Sequence, residues 1–480
     1  MDNAAVEFTI PKDIKFEDGA DSANFVLSDG HISGNMYCAS NPFNFMYEMT
    51  DQGMPTNFAA LLLRMLSSHL MDISVPVQKL TYDVRVCAED QDGNAIDGAA
   101  ATLTNSDGME FTAENGIYKD LPYDTYHYYV RAAGYICASG SFTLKTSSAN
   151  QVKDGVLTIA LPLAKAGEGA WDGKETKEPA KDEGGVYQIG TGAELAWFAQ
   201  TVNGGTQNNI KGLLTGDIEL AGYLWTPIGD TTKGFAGELS GNGHTVRNLY
   251  ISSTKNDQGL IGLLNTNGKV HDLTVTGSVI TTGKDAAGIV GQAKTKTTIV
   301  NCLNQADVTA ASSAAGVVGL AGGMVSKAAV AKNAPAITGC GNTGTITATD
   351  EAGCAGGVAS VASMFLARGG VMKDCFNVGT VTGAGKSGAV TNTTNKQKQA
   401  DGGGNYFLAG CLYGSGDEPI IGTGKTADEL MEMLKDRTDS VGKGLYEALH
   451  AIKDQAAADA VIEKIAAIGA VTLDLSLIHI

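Results

Sequence analysis

A short apolar phrase recurs between Gly259 and Asn392, as GLIGLL (259–264), AGIVGQ (287–292), AGVVGL (315–320), AGGVAS (355–360) and a weaker SGAVTN (387–392). A strand-turn-strand phrase alternates with it, as VHDLTVTGSVI (270–280), IVNCLNQADVT (299–309), ITGCGNTGTIT (337–347) and MKDCFNVGTVT (372–382). Chains that repeat strands in this way bury one face only by stacking successive copies along an axis. Aligning the copies places Leu273, Cys302, Cys340 and Cys375 in one register, and Asn304, Asn342 and Asn377 in another two residues later. β-Branched and small residues alternate around each Gly with the period of two that a strand requires. A parallel β-helix satisfies these demands, with small Cys side chains stacked inside and Asn amides bonded from copy to copy.

Composition supports a turn-rich β protein. Gly supplies 62 of 480 residues, roughly twice the usual ~7%, which suits tight turns and close backbone approach. The formal net charge is -18, and no Lys/Arg-rich cluster offsets it, so nucleic acid is excluded as a partner. No apolar run is long enough to span a bilayer; Phe58 to Met71 is short, contains Arg64 and His69, and reads as a buried helix. No secretory signal pattern opens the chain at Met1. The eight cysteines form no C-x-x-C pair, so thiolate metal sites are not expected.

Upstream of the repeats, Thr191 and Glu194 make a T-x-x-E capping box. Leu195, Phe198 and Val202 then share one helical face, and Gly204 is placed to close the helix, which would plug the open end of the solenoid. GNGH at 241–244 reads as a turn between strands rather than a phosphate loop, since no helix follows it. The lead-in VYQIGTGAELAWFAQTVNGGT, LTGDIELAGYLWTPIGD and FAGELSGNGHTVRNLYI, taken with the repeats, resembles the GLUG-motif solenoids of large bacterial surface proteins, some adhesins and some immunoglobulin-A peptidases. The resemblance covers 186–422 and implies a β-helix at the cell surface.

Residues 80–165 form a separate unit of short antiparallel strands. The order D-x-D-G-N, N-G-x-Y, L-P-x-x-x-Y, A-x-G-Y resembles small transthyretin-like or carboxypeptidase-regulatory-like β-sandwiches, which implies an Ig-like spacer. Asp90, Asp92 and Asn94 lack the Glu that an EF-hand loop needs, Ala101 standing at that position, so they read as a hairpin turn. Residues 166–185, rich in Gly, Lys and Glu, read as a linker. Residues 1–79 suggest a β-domain, truncated, with one helix. Thr426 and Glu429 form a second capping box, so helices occupy 423–474, and 455–474 resembles the start of a helical repeat of Gram-positive surface proteins. The final residues 475–480, LSLIHI, match the translation of a transposon-end sequencing adapter, which predicts that the natural chain continues past Asp474 and that the helical segment is truncated. The expected fold class is therefore mainly β: a parallel β-helix plus a small antiparallel β-sandwich, with short C-terminal helices.

No catalytic constellation is legible. Among the acids of 232–422, only Asp272 and Asp374 share the register of the second phrase. Three coils at about 4.8 Å separate them by roughly 14 Å, too far for the ~5 to 9.5 Å of paired-acid glycoside hydrolysis. The histidines are scattered, His244 and His271 read as surface turn residues, and neither H-E-x-x-H nor G-x-S-x-G occurs. No catalytic residue, metal ligand or cofactor is expected. The reading that follows is a non-catalytic extracellular stalk or adhesin of a Gram-positive bacterium, contacting a host or bacterial surface glycan or protein through insertions at Met324–Ala334 and Val361–Arg368. Two alternatives are the accessory region of a secreted metallopeptidase, with H-E-x-x-H beyond Asp474, and a glycan-active β-helix with acids clustered on one face.

Overall fold

A computed structural model describes residues 81–145, 148, 151–321, 335–360, 371–383, 385, 387–391, 404–413 and 422–467, with backbone alone at 371, 412–413 and 460–467. It also describes the backbone of three antiparallel strands, Ala20–Ser28, His31–Cys38 and Phe45–Tyr47. The helix expected at 58–71 and the insertions at 324–334 and 361–368 lie outside the described residues. The chain divides into two compact units, one of Met1–Glu89, Ala100–Val130 and Ser139–Pro162, the other of Asp90–Ala99, Arg131–Ala138 and Leu163–Ile480. Three helices are described: α1 (Gly192–Asn203), α2 (Ala427–Leu434) and α3 (Ser440–Ala467).

The fold is mainly β. In the first unit, two four-stranded sheets enclose Val84, Val86, Leu103, Tyr118, Leu121, Tyr126, Val130 and Leu157, all buried. Tyr126 stacks on Phe142 with ring centroids 5.5 Å apart and donates its hydroxyl to Pro122 O at 2.8 Å. Sharp turns follow the turn chemistry of the sequence. Asn115 and Gly116 both have positive φ, and Glu114 and Ile117 exchange backbone hydrogen bonds across them, as a two-residue hairpin loop demands. The sandwich departs from the expected antiparallel pattern in one pair: Thr81–Glu89 and Val156–Pro162 run parallel in register. First and last strands of the module are thereby zipped side by side.

The second unit contains a parallel β-helix. One wall is an eight-stranded sheet, parallel except at its first strand, through Tyr187–Ile189, Lys211–Leu214, Glu238–Ser240, Lys269–His271, Thr298–Val300, Ala336–Thr338 and Val371–Lys373. A second wall of twelve strands includes Thr245–Ser253, Thr274–Thr281, Leu303–Asn304, Gly341–Asn342 and Phe376–Asn377. Two three-stranded parallel sheets complete the coils, through Asp285–Ala287, Ser313–Ala315 and Cys354–Gly356, and through Ile261–Leu264, Val290–Ala293 and Val318–Ala321. The apolar phrase forms these last sheets, and Val270, Ile299, Ile337 and Met372 stack beneath the first wall.

The corner between the first two walls is left-handed. Asp272, Asn301, Gly339 and Asp374 all have φ between 50° and 66° there. These are the residue types that adopt that conformation at least cost. Asn301 Nδ2 also donates to Asp272 Oδ1 at 3.1 Å, tying one corner to the next. After the last described strand of the first wall, the side chain of Asn405 imitates a further strand: Oδ1 accepts from Cys375 N and Nδ2 donates to Met372 O, each at 3.0 Å.

One expectation for the flanks changes, and the helices expected after the solenoid acquire a packing partner. Within 166–185, read as a linker, Trp171 is buried against Trp225 and Tyr223, and its backbone N donates to Glu219 O at 2.9 Å. One large aromatic in an otherwise polar stretch is enough to fix it to the second wall. At the other end, α2 and the first part of α3 lie on the solenoid flank. Leu430, Leu434, Val441, Leu445 and Leu449 cluster with Leu303, Phe376 and Val378 of the second wall. Arg437 locks the contact by donating to Gly339 O at 2.5 Å while pairing with Asp439 at 2.8 Å.

Candidate functional site

The repeated residues face the interior. Leu273, Cys302, Cys340 and Cys375 are fully buried and occupy one column, immediately after the left-handed corner. All three thiols are free, and each Sγ lies near the carbonyl two residues earlier, at 3.3 to 3.4 Å. Burial pushes the Cys302 and Cys375 thiols well up, while hydrogen bonds from these two neighbours act in the opposite direction on Cys340 between them.

Asn304, Asn342 and Asn377 form the second column, also fully buried. Asn304 Nδ2 donates to Asn342 Oδ1 at 2.7 Å, and Asn342 Nδ2 donates to Asn377 Oδ1 at 2.8 Å. Each Nδ2 makes a second bond to the carbonyl two residues ahead: Ala306, Gly344 or Gly379. The ladder ends with Asn377 Nδ2 on the buried Sγ of Cys411 at 3.3 Å. A buried amide without partners costs about 1–3 kcal/mol, so this column specifies which coil lies on which.

At the other end, α1 closes the core. Thr191 Oγ1 accepts from Glu194 N at 3.3 Å, and Leu195, Phe198 and Val202 are fully buried. Phe198 meets Phe235 edge to face with centroids 5.7 Å apart. The expected capping box is modified: the Glu194 carboxylate reaches back to Gly190 N at 2.8 Å, one residue beyond the cap, and pairs with Lys177 at 3.0 Å. Burial opposes ionisation of Glu194, but these partners outweigh it and hold its carboxyl below the usual value. Gly204 keeps a right-handed φ of -63°, and the left-handed closing residue is Gly205, at +85°.

Outward positions of the first wall carry no repeated group, whereas the second wall repeats a half-buried Thr at 309, 347 and 382. In the first wall, the column through Lys269 continues as Thr298, Ala336 and Val371, and that through His271 as Val300, Thr338 and Lys373. His271 bridges Asp272 Oδ2 at 2.7 Å and Glu238 Oε1 at 3.3 Å. Asp374 lies in the Asp272 register three coils on, beside Lys373 at 3.7 Å. His244 faces Asp217 at 3.6 Å in the turn where Asn242 and Gly243 both take positive φ. Asp90, in its own loop, accepts from Asp92 N and Asn94 N at 2.9 Å, which is the turn-forming role read from the sequence.

One acidic pair escaped the sequence comparison. Gln258 bridges Ala286 in parallel, so Asp257 and Asp285 stand in the same register on successive coils. The signal lies two residues ahead of GLIGLL and AGIVGQ, where both copies carry Asp. Burial, then the nearby Asp285, pushes Asp257 up to about 6; burial also raises Asp285. The spacing of adjacent strands suits a carboxylate pair, but Asp257 is only 7% exposed, which keeps it from touching a polymeric substrate. Among the described residues, no group of three or more His, Cys, Asp or Glu is arranged to hold a metal ion.

No family model matches this chain. An 85-residue stretch is 38% identical to a protein of Evansella cellulosilytica described as a Gly-rich membrane protein, covering 16% of this chain and 10% of that one. A 67-residue stretch is 42% identical to halomucin of Haloquadratum walsbyi, covering 14% of this chain and 1% of that protein. The chain thus spans 10% or less of the length of these curated relatives. Among solved structures, a Bacteroides ovatus protein provisionally assigned as an immunoglobulin A1 protease aligns over 54% of this chain and 89% of its own, at 17% identity and a TM-score of 0.37. None of these matches specifies a Gram-positive host. No helix among the described residues is long and apolar enough to cross a membrane.

Proposed function

We propose that this chain is a non-catalytic part of an extracellular, cell-surface protein, in which a GLUG-type β-helix and a transthyretin-like sandwich serve as a rigid scaffold for adhesion. The observation that carries this reading is the separation of identity by face. Side chains repeated from coil to coil, Cys302/Cys340/Cys375 and Asn304/Asn342/Asn377, are fully buried, whereas the outward columns of the first wall, through Lys269 and through His271, change character from coil to coil. A scaffold needs the first and leaves the second free to vary. Local similarity to a membrane protein and to halomucin supports placement outside the cell.

Binding is assigned to the insertions at 324–334 and 361–368, which interrupt the coils on the sequence and follow the apolar phrase. The test is binding of the full chain to an array of host and bacterial glycans and to surface proteins, compared with a variant carrying Gly-Ser replacements in both insertions. Retained binding in that variant would remove the assignment. A glycan-cleaving reading has one observation in its favour, the stacked Asp257 and Asp285. It requires reducing ends to be released from a polysaccharide by the wild-type chain and not by Asp285→Asn.

A further inference from the structure

Asp257 and Asp285 are stacked at the pitch of a β-sheet, about 4.8 Å, and Ser313 continues their column one coil further on. Asp257 is 7% exposed, and among the described residues no hydrogen-bond donor serves its carboxylate. Few charges face the pair. Lys294 acts on Asp257, Lys284 acts on Asp285, and the Ser313 hydroxyl, which donates to Gly319 O at 2.8 Å, also favours the charged form of Asp285. Gly262 and Gly291, which pack on the backbone of Asp257, bring no charge. A buried carboxylate stacked on a half-buried one, with so few donors, cannot share ionisation with it at low cost.

We propose that Asp257 keeps its proton in the folded chain because it is buried beside Asp285, making the coils at 255–262 and 283–293 a pH-sensitive joint that is tight while the proton is bound and loosens when it is lost. The direction follows from linkage. Asp257 binds its proton more tightly folded than unfolded, with a value raised from 3.8 to about 6. Its stabilising effect is complete below the unfolded value and is lost as pH rises through the folded one. For a solenoid exposed to its surroundings, mild acid would then firm these coils and neutral pH would relax them.

Hydrogen exchange by mass spectrometry on the full chain tests this, reading peptides over 255–262 and 283–293 from pH 4.5 to 7.5 after correction for intrinsic rates. Because each unit of pKa is a tenfold factor, the opening constant of the wild type should rise roughly twentyfold across that range. In Asp257→Asn, which keeps the shape and removes the charge, the rise should vanish in these peptides. Asp285→Asn gives a second reading, with the rise reduced and moved to lower pH. An equal rise in wild type and both variants would overturn the proposal. So would suppression of opening by Ca²⁺ at pH 7.5 in the wild type but not in Asp257→Asn, which would make the pair a cation site.

Discussion

Asn304 occupies the space in which Gly288 would carry a β-carbon: its Oδ1 lies against that position from across the core. The same relation joins Gly316 to Asn342, whose Oδ1 is 2.5 Å from the equivalent point, and Gly357 to Asn377. The Gly of the apolar phrase and the Asn of the strand-turn-strand phrase are therefore one device, which explains why the two phrases alternate. Gly288→Ala should destabilise the solenoid by about 1–3 kcal/mol through overpacking. Adding Asn304→Ser should recover part of this loss in a double-mutant cycle read by denaturant unfolding. Additive effects would break the link between the phrases.

Asn342 stands in the middle of the ladder, bonded to Asn304 and Asn377. Asn342→Ala should cost about 2–4 kcal/mol, because it leaves a buried donor on Asn304 and a buried acceptor on Asn377 without partners. Asn342→Asp should cost more, since it also buries a charge. Urea unfolding followed by tryptophan fluorescence suits this comparison, as Trp225 lies in the same core cluster.

The flank contact of α2 and α3 rests on a fully buried apolar seam. Leu445→Ala should cost about 2–5 kcal/mol and should raise amide exchange in 427–449 ahead of the solenoid walls. Arg437→Ala should act in the same direction by freeing Gly339 O and the Asp439 carboxylate. If exchange rises equally everywhere, the helices are part of one cooperative core rather than a docked element.

Much of this architecture was legible because a stacked solenoid repeats its solvent environment, so each coil selects the same side chain at the same interior point. Cys302, Cys340, Cys375 and the three Asn residues show this directly. Other features were hidden for identifiable reasons. Leu303 and Phe376 lie between a buried Cys and a buried Asn, in the outward slot of the alternation, and only a partner such as α3 explains why that slot is apolar. The coil at 354–360 is offset: Ala315 pairs with Gly356, not Ala355, so AGGVAS aligns by eye one residue away from its true register. Asp257 and Asp285 precede the phrase that was aligned. Gly204 precedes Gly205, and only backbone conformation tells which of two adjacent glycines turns left-handed.

The thiol column yields a chemical prediction. Native protein should protect Cys302, Cys340 and Cys375 from iodoacetamide, because all three are fully buried and out of the reagent's reach, and burial further suppresses the reactive thiolate of Cys302 and Cys375. The same cysteines should alkylate fully after denaturation without any reductant. Peptide mapping of the two samples distinguishes protected thiols from disulfides.

The register of the coils is the claim on which the rest depends, and anomalous diffraction from native sulfur in a crystal of the full chain tests it most directly. The account predicts Sγ peaks for Cys302, Cys340 and Cys375 in a row, separated by roughly the 4.8 Å strand spacing, with Cys411 beside Asn377 at the end of the Asn ladder. Sulfur peaks scattered across the molecule, or paired at the ~2 Å of a disulfide, would contradict it.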